Sequence, residues 1–183
     1  EGKTYPLVVR SVGDFVRTPS HRNFVIDDLK EDLLTSEDDI LDDTLLVHRI
    51  PGFTNIKGTR KAMQKEKILF FDLGVRNAIL GRQKDQFSAI ELGHLFEQWF
   101  IQQIIAWNSY HKKDWKLYYY RDNFKAEVDL IVEAHNKIFA LEIKSSKRVK
   151  PEYLEGLNSF ASYAKKPVQK YLIFQGDKKE RWD

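Results

Sequence analysis

The sequence of 183 residues contains no cysteine, which excludes disulfide bonds and cysteine-ligated metal sites. No apolar run approaches the roughly 18 residues that a membrane-spanning helix requires, and no signal peptide is visible. We therefore expect a cytoplasmic protein with no membrane partner. A G-x-x-x-x-G-K-S/T phosphate loop is also missing, so we expect no ATP site in these residues.

The composition predicts a folded but unevenly charged chain. Hydrophobic residues make up 42% of it, enough to bury a core. The net charge is +3, yet residues 27–43 hold nine acids and one lysine, so the remainder carries about +11. Such a basic body is compatible with nucleic-acid binding without being specific for it. The first residue is glutamate and not methionine, so we expect a fragment of a longer protein.

The N-terminal part has the element order of a winged helix. Helical spacing predicts helices over 25–34 and 37–43, and 44–50 has the composition of a strand. In a winged helix the second helix enters the major groove, but here it carries five acids that phosphates would repel. We therefore expect the acidic helix 37–43 to be a structural or protein-docking element, and a merely solvated helix is the plainer alternative.

A domain boundary is expected near residue 82. Residues 57–67 form a basic segment that either contacts phosphates or is a solvated loop. A short strand and a helix ended by Gly81 follow, and then a polar link. The prediction is a winged-helix-like part over 1–81 and a second domain over 82–183.

The second domain has a mixed order of helices and strands. Ser88 and Glu91 form a capping box that opens a long helix over 88–108. Alternating apolar residues then predict strands, and the full order is helix, three strands, helix, strand. We expect an α/β protein of the α+β kind with a mixed sheet. The predicted elements after the long helix are 115–120, the hairpin 127–144, the helix 151–164 and the strand 170–175.

The hairpin is the most informative stretch, and it reads EVDLIVEAHNKIFALEIK. A turn at His135 and Asn136 would set Ala134 opposite Lys137 and Asp129 opposite Glu142. One face would then be wholly apolar and buried. The members of that face are Val128, Leu130, Val132, Phe139, Leu141 and Ile143.

The other face of the hairpin predicts a metal site. Directly opposed side chains have Cβ atoms about 4.5–5.5 Å apart, so Asp129 and Glu142 would repel unless a cation or proton lay between them. Mg²⁺ or Mn²⁺ would bind through these carboxylates. Lys144 lies two residues past Glu142 on the same face, where it could stabilise developing negative charge. The alternative is an ordinary solvated face of a strand.

Other residues could complete the site. Glu97 lies among apolar neighbours on the long helix and is either a third metal ligand, an orienter of metal-bound water, or one half of a salt bridge at the core edge. His94, one turn earlier, could be a further ligand, and a surface histidine is the plainer alternative. The candidate phosphate contacts are Lys147, Arg148, Lys150 and Arg121, the last of which could simply be a turn arginine.

These residues carry a resemblance to a known family. The strings GHLFEQWF, EVDLIVE and IFALEIKSSKRV resemble the PD-(D/E)xK nuclease superfamily. Together with KILFFDLGVRNAILG, they look like the C-terminal domain that follows the P-loop module in many uncharacterised prokaryotic AAA-type ATPases. The resemblance covers roughly residues 44–175. It implies a restriction-endonuclease-like core, the site positions Glu97, Asp129, Glu142 and Lys144, and a partner ATPase module. The family usually continues further, so the C-terminus is expected to be clipped.

Three functions remain open at this point. The first is metal-dependent phosphodiester hydrolysis, with Asp129 and Glu142 binding the ion and Glu97 completing the site. Lys144 would either orient the metal-bound water or stabilise negative charge in the transition state. The second is non-catalytic binding of nucleic acid through the basic residues. The third is a regulatory or interaction domain of a larger ATPase that docks through the acidic helix 37–43.

Overall fold

The computed structural model describes residues 46–58, 60–82 and 86–176. The helices predicted over 25–34 and 37–43 lie outside the described residues. Within them the chain forms six strands, three α-helices and one short 3₁₀ helix. In chain order these are β1 (Val47–Ile50), β2 (Lys67–Phe70), α1 (Leu73–Ile79), α2 (Ala89–Tyr110), β3 (Lys116–Arg121), β4 (Glu127–Ala134), β5 (Lys137–Lys144), the 3₁₀ helix (Pro151–Leu154), α3 (Glu155–Tyr163) and β6 (Val168–Phe174).

The strands form two sheets. β1 and β2 are an antiparallel pair, and the larger sheet has the order β3-β4-β5-β6. Its first three strands are antiparallel, whereas β6 runs parallel to β5. A parallel neighbour requires a crossover connection, and α3 supplies it. The predicted order of helix, three strands, helix, strand and the mixed α/β class are both confirmed.

The capping box that opens α2 is confirmed. The Ser88 hydroxyl accepts the N–H of Glu91, and the Glu91 carboxylate accepts the N–H of Ser88. The helix extends to Tyr110, which is largely exposed. Its last turn therefore projects beyond the buried part of the protein. None of the helices in the described part of the chain combines the length and the apolar character that crossing a membrane requires.

The turn of the β4–β5 hairpin fixes the register that the sequence predicts. His135 and Asn136 have φ values of 47° and 67°. Positive φ at both central residues matches the right-handed twist of the flanking strands. Ala134 pairs with Lys137, and Leu130 with Leu141, as expected.

One expectation about this hairpin is wrong. Val128 does not share the face of Leu130, because β4 contains a β-bulge. β3 advances two residues from Tyr118 to Tyr120, while β4 moves three residues, from Ile131 to Val128. The extra residue turns Val128 to the face of Ile131, where it packs against α3. The strict two-residue period therefore fails at the start of β4.

The sheet is covered on both faces. Phe96, Phe100 and Ile101 of α2 pack on the face that carries Leu130 and Leu141. Burying each such side chain fully contributes about 1.5–3 kcal/mol. The opposite face packs against α3.

The core on the α3 side depends on a close approach of helix and strand. Leu157 and Phe160 of α3 are completely buried against this face of the larger sheet. A Cβ on Gly156 would lie only 2.1 Å from the carbonyl oxygen of Glu127, so only glycine allows α3 to lie this near the start of β4.

The segment between β1 and β2 covers the outer edge of β3. The Phe53 N–H bonds to the Tyr119 carbonyl at 2.7 Å, and the Met63 N–H bonds to the Arg121 carbonyl at 2.8 Å. The two cores also include residues from this part of the chain, among them Ile50 and Leu69 on one side and Phe53 on the other. The boundary expected near residue 82 stays a prediction, although both cores draw on residues from either side of it.

Candidate metal centre

The β4 bulge determines where Asp129 lies. Its side chain is buried, with the residue 5% exposed. The carboxylate accepts the backbone N–H of Ile143 at 2.7 Å, so it reaches across to β5. This hydrogen bond fixes the position of the Asp129 carboxylate, and the contacts of Lys144 with both acids place it near Glu142. Bulges commonly redirect side chains beside functional sites.

Lys144 joins the two carboxylates. Its Nζ lies 2.5 Å from Oε1 of Glu142 and 3.6 Å from Oδ2 of Asp129. About a third of the lysine side chain is exposed, whereas both carboxylates are buried beneath it. The ammonium therefore lies on the solvent side of the pair. Three of the four residues predicted for the site are in contact.

Glu142 has one oxygen without a hydrogen bond. Its Oε2 is buried and finds no hydrogen-bond partner among the residues that the structure describes. Leaving a buried acceptor unpaired costs about 1–3 kcal/mol, and more for a charged group. An orphaned carboxylate oxygen at this position is suited to a cation.

Burial is the largest influence on the pKa values of the site. Burial, with the neighbouring charges of Glu97 and Glu142, raises the pKa of Asp129 well above its usual value. Burial also raises the pKa of Glu142, despite the opposing attraction of Lys144. Attraction to these carboxylates raises the pKa of Lys144, although burial alone would lower it. The lysine therefore remains charged, and burial disfavours the ionised forms of both carboxylates.

Glu97 has a partner that the sequence did not reveal. The Nζ of Lys67 lies 2.6 Å from Oε1 of Glu97, so the salt bridge is the alternative that the structure contains. Lys67 also lies over the ring of Tyr119, 5.6 Å from its centroid. The sequence interpretation assigned Lys67 to a basic loop, whereas it begins β2. No spacing rule could have identified the pair, because 30 positions separate the two residues.

The donors fit a hard divalent cation in their chemistry. Carboxylate oxygens are the ligands that Mg²⁺ takes, and one or two commonly suffice. In residues 46–58, 60–82 and 86–176 no group of three or more His, Asp or Glu side chains is placed to hold a metal ion. Asp129 and Glu142 are therefore the candidate ligand pair, and Glu97 is engaged with Lys67.

The predicted phosphate contacts are all exposed. Lys147, Arg148 and Lys150 follow Lys144 and are all exposed. Lys150 and Arg121 make long ion pairs, at 3.7 Å to Glu152 and 3.9 Å to Glu127. Exposed pairs of this kind contribute little, about 0–1 kcal/mol, so both cations remain accessible to an anionic ligand.

Two helix positions complete the description of the site. His94 is exposed on α2, as expected for a surface histidine. Gly93 faces the loop after β5, where an added Cβ would lie 3.6 Å from the Ser145 hydroxyl. The N-terminal half of α2 therefore approaches the loop that follows Lys144.

These features define a mixed α/β domain with a buried carboxylate pair and a lysine at one end of its central hairpin. A family model described as a domain of unknown function (DUF4143) matches residues 92–183, half of the chain. The protein belongs to this family, and Glu97, Asp129, Glu142 and Lys144 all lie in the matched region. No curated protein and no solved structure matches the chain.

Proposed function

We propose that this chain carries a PD-(D/E)xK-type site that hydrolyses phosphodiester bonds in nucleic acid with the help of Mg²⁺ or Mn²⁺. The observation that carries the proposal is the pairing of buried Asp129 and Glu142 beside Lys144. Within the described part of the chain, Oε2 of Glu142 has no hydrogen-bond partner. Burying two carboxylates with only one ammonium destabilises a fold. Destabilising arrangements of this kind are typical of functional sites.

Asp129 and Glu142 would hold the ion. When bound, it supplies a Lewis acid for the phosphoryl oxygen and a water of lowered pKa. Asp129 contributes a fixed oxygen, because the N–H of Ile143 holds its carboxylate in place. Glu142 contributes the orphaned oxygen, which is already desolvated.

Lys144 would act on the substrate. Its ammonium is the most exposed group of the three and lies on the outer side of the carboxylates. It can therefore donate to a phosphate oxygen as negative charge develops there. The exposed cations Lys147, Arg148, Lys150 and Arg121 would contact neighbouring phosphates and set the position of the strand.

The order of elements supports the same proposal. One helix, three antiparallel strands, a crossover helix and a parallel strand resemble the restriction-endonuclease-like core. In that case the chain is part of a larger ATPase, with a winged-helix-like region and the acidic helix 37–43 as a docking surface for the ATPase module or another protein. A cytoplasmic location, expected from the lack of cysteine, stays a prediction.

Metal titration tests the proposal directly. We expect Mn²⁺ and Mg²⁺ to bind wild type in calorimetry, with a short DNA duplex added in a second series. Glu142→Gln should weaken binding at least tenfold, whereas Glu152→Gln, the same change at an exposed position, should leave it unchanged. Cleavage of DNA or RNA in Mg²⁺ should disappear in Glu142→Gln and Lys144→Met. No metal binding by wild type, even with duplex present, would refute the proposal.

A second function is favoured by one specific observation. Lys144 already contacts both carboxylates, so the site is partly neutralised without a metal ion. The domain would then bind nucleic acid without cutting it. Salt-sensitive binding that survives Glu142→Gln but is lost when Lys147 and Arg148 are both changed to Glu would identify this function.

A further inference from the structure

Lys67 reaches the candidate site from outside the matched domain. It lies 25 positions before residue 92, where the family match begins. Its Nζ is 2.6 Å from Glu97, and about a fifth of each side chain is exposed. A cation from the preceding segment is therefore paired with a carboxylate of the domain.

The backbone around Lys67 is held in place from both sides. Lys67 pairs with Ile50 in the β1–β2 ladder. The hydroxyl of Tyr119 donates to the carbonyl of Lys65, which anchors the chain to β3. Leu69, two residues later, is buried in the core. The fold therefore holds the backbone of Lys67 close to Glu97, so that only rotation of the flexible lysine side chain can separate the two charged groups.

The charges of the site place Lys67 in competition with any added cation. Glu97, Asp129 and Glu142 are three carboxylates that share two ammonium groups, Lys67 and Lys144. Attraction to Glu97 and Asp129 raises the pKa of Lys67 although burial opposes it, so the side chain stays charged. A divalent ion near these carboxylates would be repelled by Lys67 and would have to take Glu97 from it.

We propose that Lys67 is a built-in competitor for the metal, which keeps Glu97 out of the ligand set until its ammonium moves away. The inference rests on the proposed metal site and adds its regulation by the segment that precedes the domain. With Lys67 in place the ion has the two carboxylates Asp129 and Glu142. With Lys67 displaced, Glu97 becomes available as a third oxygen ligand or as a partner of a bound water.

The test compares two lysines of the same segment in the full chain. Lys67→Met removes the competing charge, and we expect Mn²⁺ to bind at least tenfold more tightly in calorimetry. Lys65→Met makes the same change two residues earlier on an exposed side chain and should alter the affinity less than twofold. Lys67→Arg keeps the charge and should bind Mn²⁺ like wild type. Equal or weaker binding by Lys67→Met would overturn the inference.

The same titrations separate this inference from the proposed function. If wild type binds Mn²⁺ and Glu142→Gln abolishes binding while Lys67→Met changes nothing, the metal site stands and the role of Lys67 falls. If wild type does not bind Mn²⁺, with or without a DNA duplex, the metal site itself is refuted and the role of Lys67 with it.

A second measurement covers the case in which Lys67→Met does not fold. In wild type labelled with ¹⁵N-lysine, the ammonium signal of Lys67 should be protected from exchange by its salt bridge with Glu97. Titration with Mg²⁺ should shift this signal or remove it, at the same concentrations that shift Lys144. An unchanged Lys67 signal when the Lys144 signal has responded would overturn the inference.

Discussion

Arg60 and Asp122 form a partly buried ion pair across 62 positions of the chain, with 2.5 Å between Nη1 and Oδ2. Asp122 also accepts the Tyr120 hydroxyl at 2.9 Å and the N–H groups of Phe124 and Ala126. The guanidinium of Arg60 lies over the ring of Tyr163. This cluster ties the segment between β1 and β2 to the turn that leads into β4, and hence to the strand that carries Asp129.

Removing the acid of this pair should be strongly destabilising. Asp122→Ala leaves Arg60 without its carboxylate and leaves three hydrogen-bond donors without an acceptor. Breaking a buried pair in this way typically costs about 3–5 kcal/mol. Urea denaturation would give the change in the free energy of unfolding. Glu155→Ala, at an exposed position on α3, should change it by less than about 0.5 kcal/mol. A similar small change in Asp122→Ala would show that the cluster does not hold the two segments together.

The Asp122 cluster should also make stability depend on acid pH. Burial would raise the pKa of Asp122, but the bonds from Arg60, Tyr120, Ala126 and Phe124 outweigh it and lower the pKa. The carboxylate therefore contributes stability above its unfolded pKa of about 4, and the contribution is lost as the pH falls through the lower folded value.

The measurement is the difference in unfolding free energy between wild type and Asp122→Asn, taken from pH 7 down to pH 3. We expect the advantage of wild type to shrink below about pH 4. Asp129 is present in both proteins, so its contribution cancels. A difference that stays constant over this range would contradict the assigned pKa shift.

Asp129 should have the opposite effect on stability. Its pKa is raised chiefly by burial, so its ionised form is destabilised by folding. This cost develops as the pH rises above the unfolded pKa and is complete above the folded pKa. Asp129→Asn keeps an acceptor for the Ile143 N–H without the charge. We expect a higher urea midpoint than wild type at pH 8, and no gain at a pH below the unfolded pKa, where Asp129 is protonated in both the folded and the unfolded state. A lower midpoint at pH 8 would show that the attraction between Asp129 and Lys144 stabilises the fold by more than the burial of the Asp129 charge destabilises it.

The aromatic anchor of the segment between β1 and β2 should be essential for stability. Phe53 is 2% exposed and contacts the rings of Tyr118 and Phe160 edge-on. Phe53→Ala should cost about 3–5 kcal/mol through lost burial and the cavity left behind. Thermal or urea unfolding measures this loss. Phe71→Ala, where the ring is 44% exposed, is the matched control and should cost much less.

The sequence predicts local features of this fold better than its long-range pairings. The hairpin register followed from alternating apolar residues and a two-residue turn, which are both set within a few positions. The Ser88 capping box is equally local. The sequence does not predict the bulge in β4. Whether a strand contains an extra residue depends on how side chains such as Tyr120 and Ile131 pack in three dimensions, and this leaves no fixed pattern in the sequence.

The candidate site was predicted in part for the same reason. Asp129, Glu142 and Lys144 lie on one hairpin, so strand geometry alone predicts that they are close together. Lys67 and Arg60 come from a segment that looked like a solvated basic loop, and their carboxylate partners lie 30 and 62 positions away. Only the packing of β1 and β2 against the larger sheet determines those pairs.

The covering of β3 by the segment between β1 and β2 has a practical consequence for handling this family. A chain cut at residue 92, where the family match begins, would expose the carbonyls of Tyr119 and Arg121, which now accept the N–H groups of Phe53 and Met63. It would also expose the Tyr119 N–H, which now donates to the Pro51 carbonyl. An open strand edge of this kind is a template for adding strands from other molecules. Preparations of the matched region alone should self-associate, whereas those starting at residue 46 should keep the edge closed.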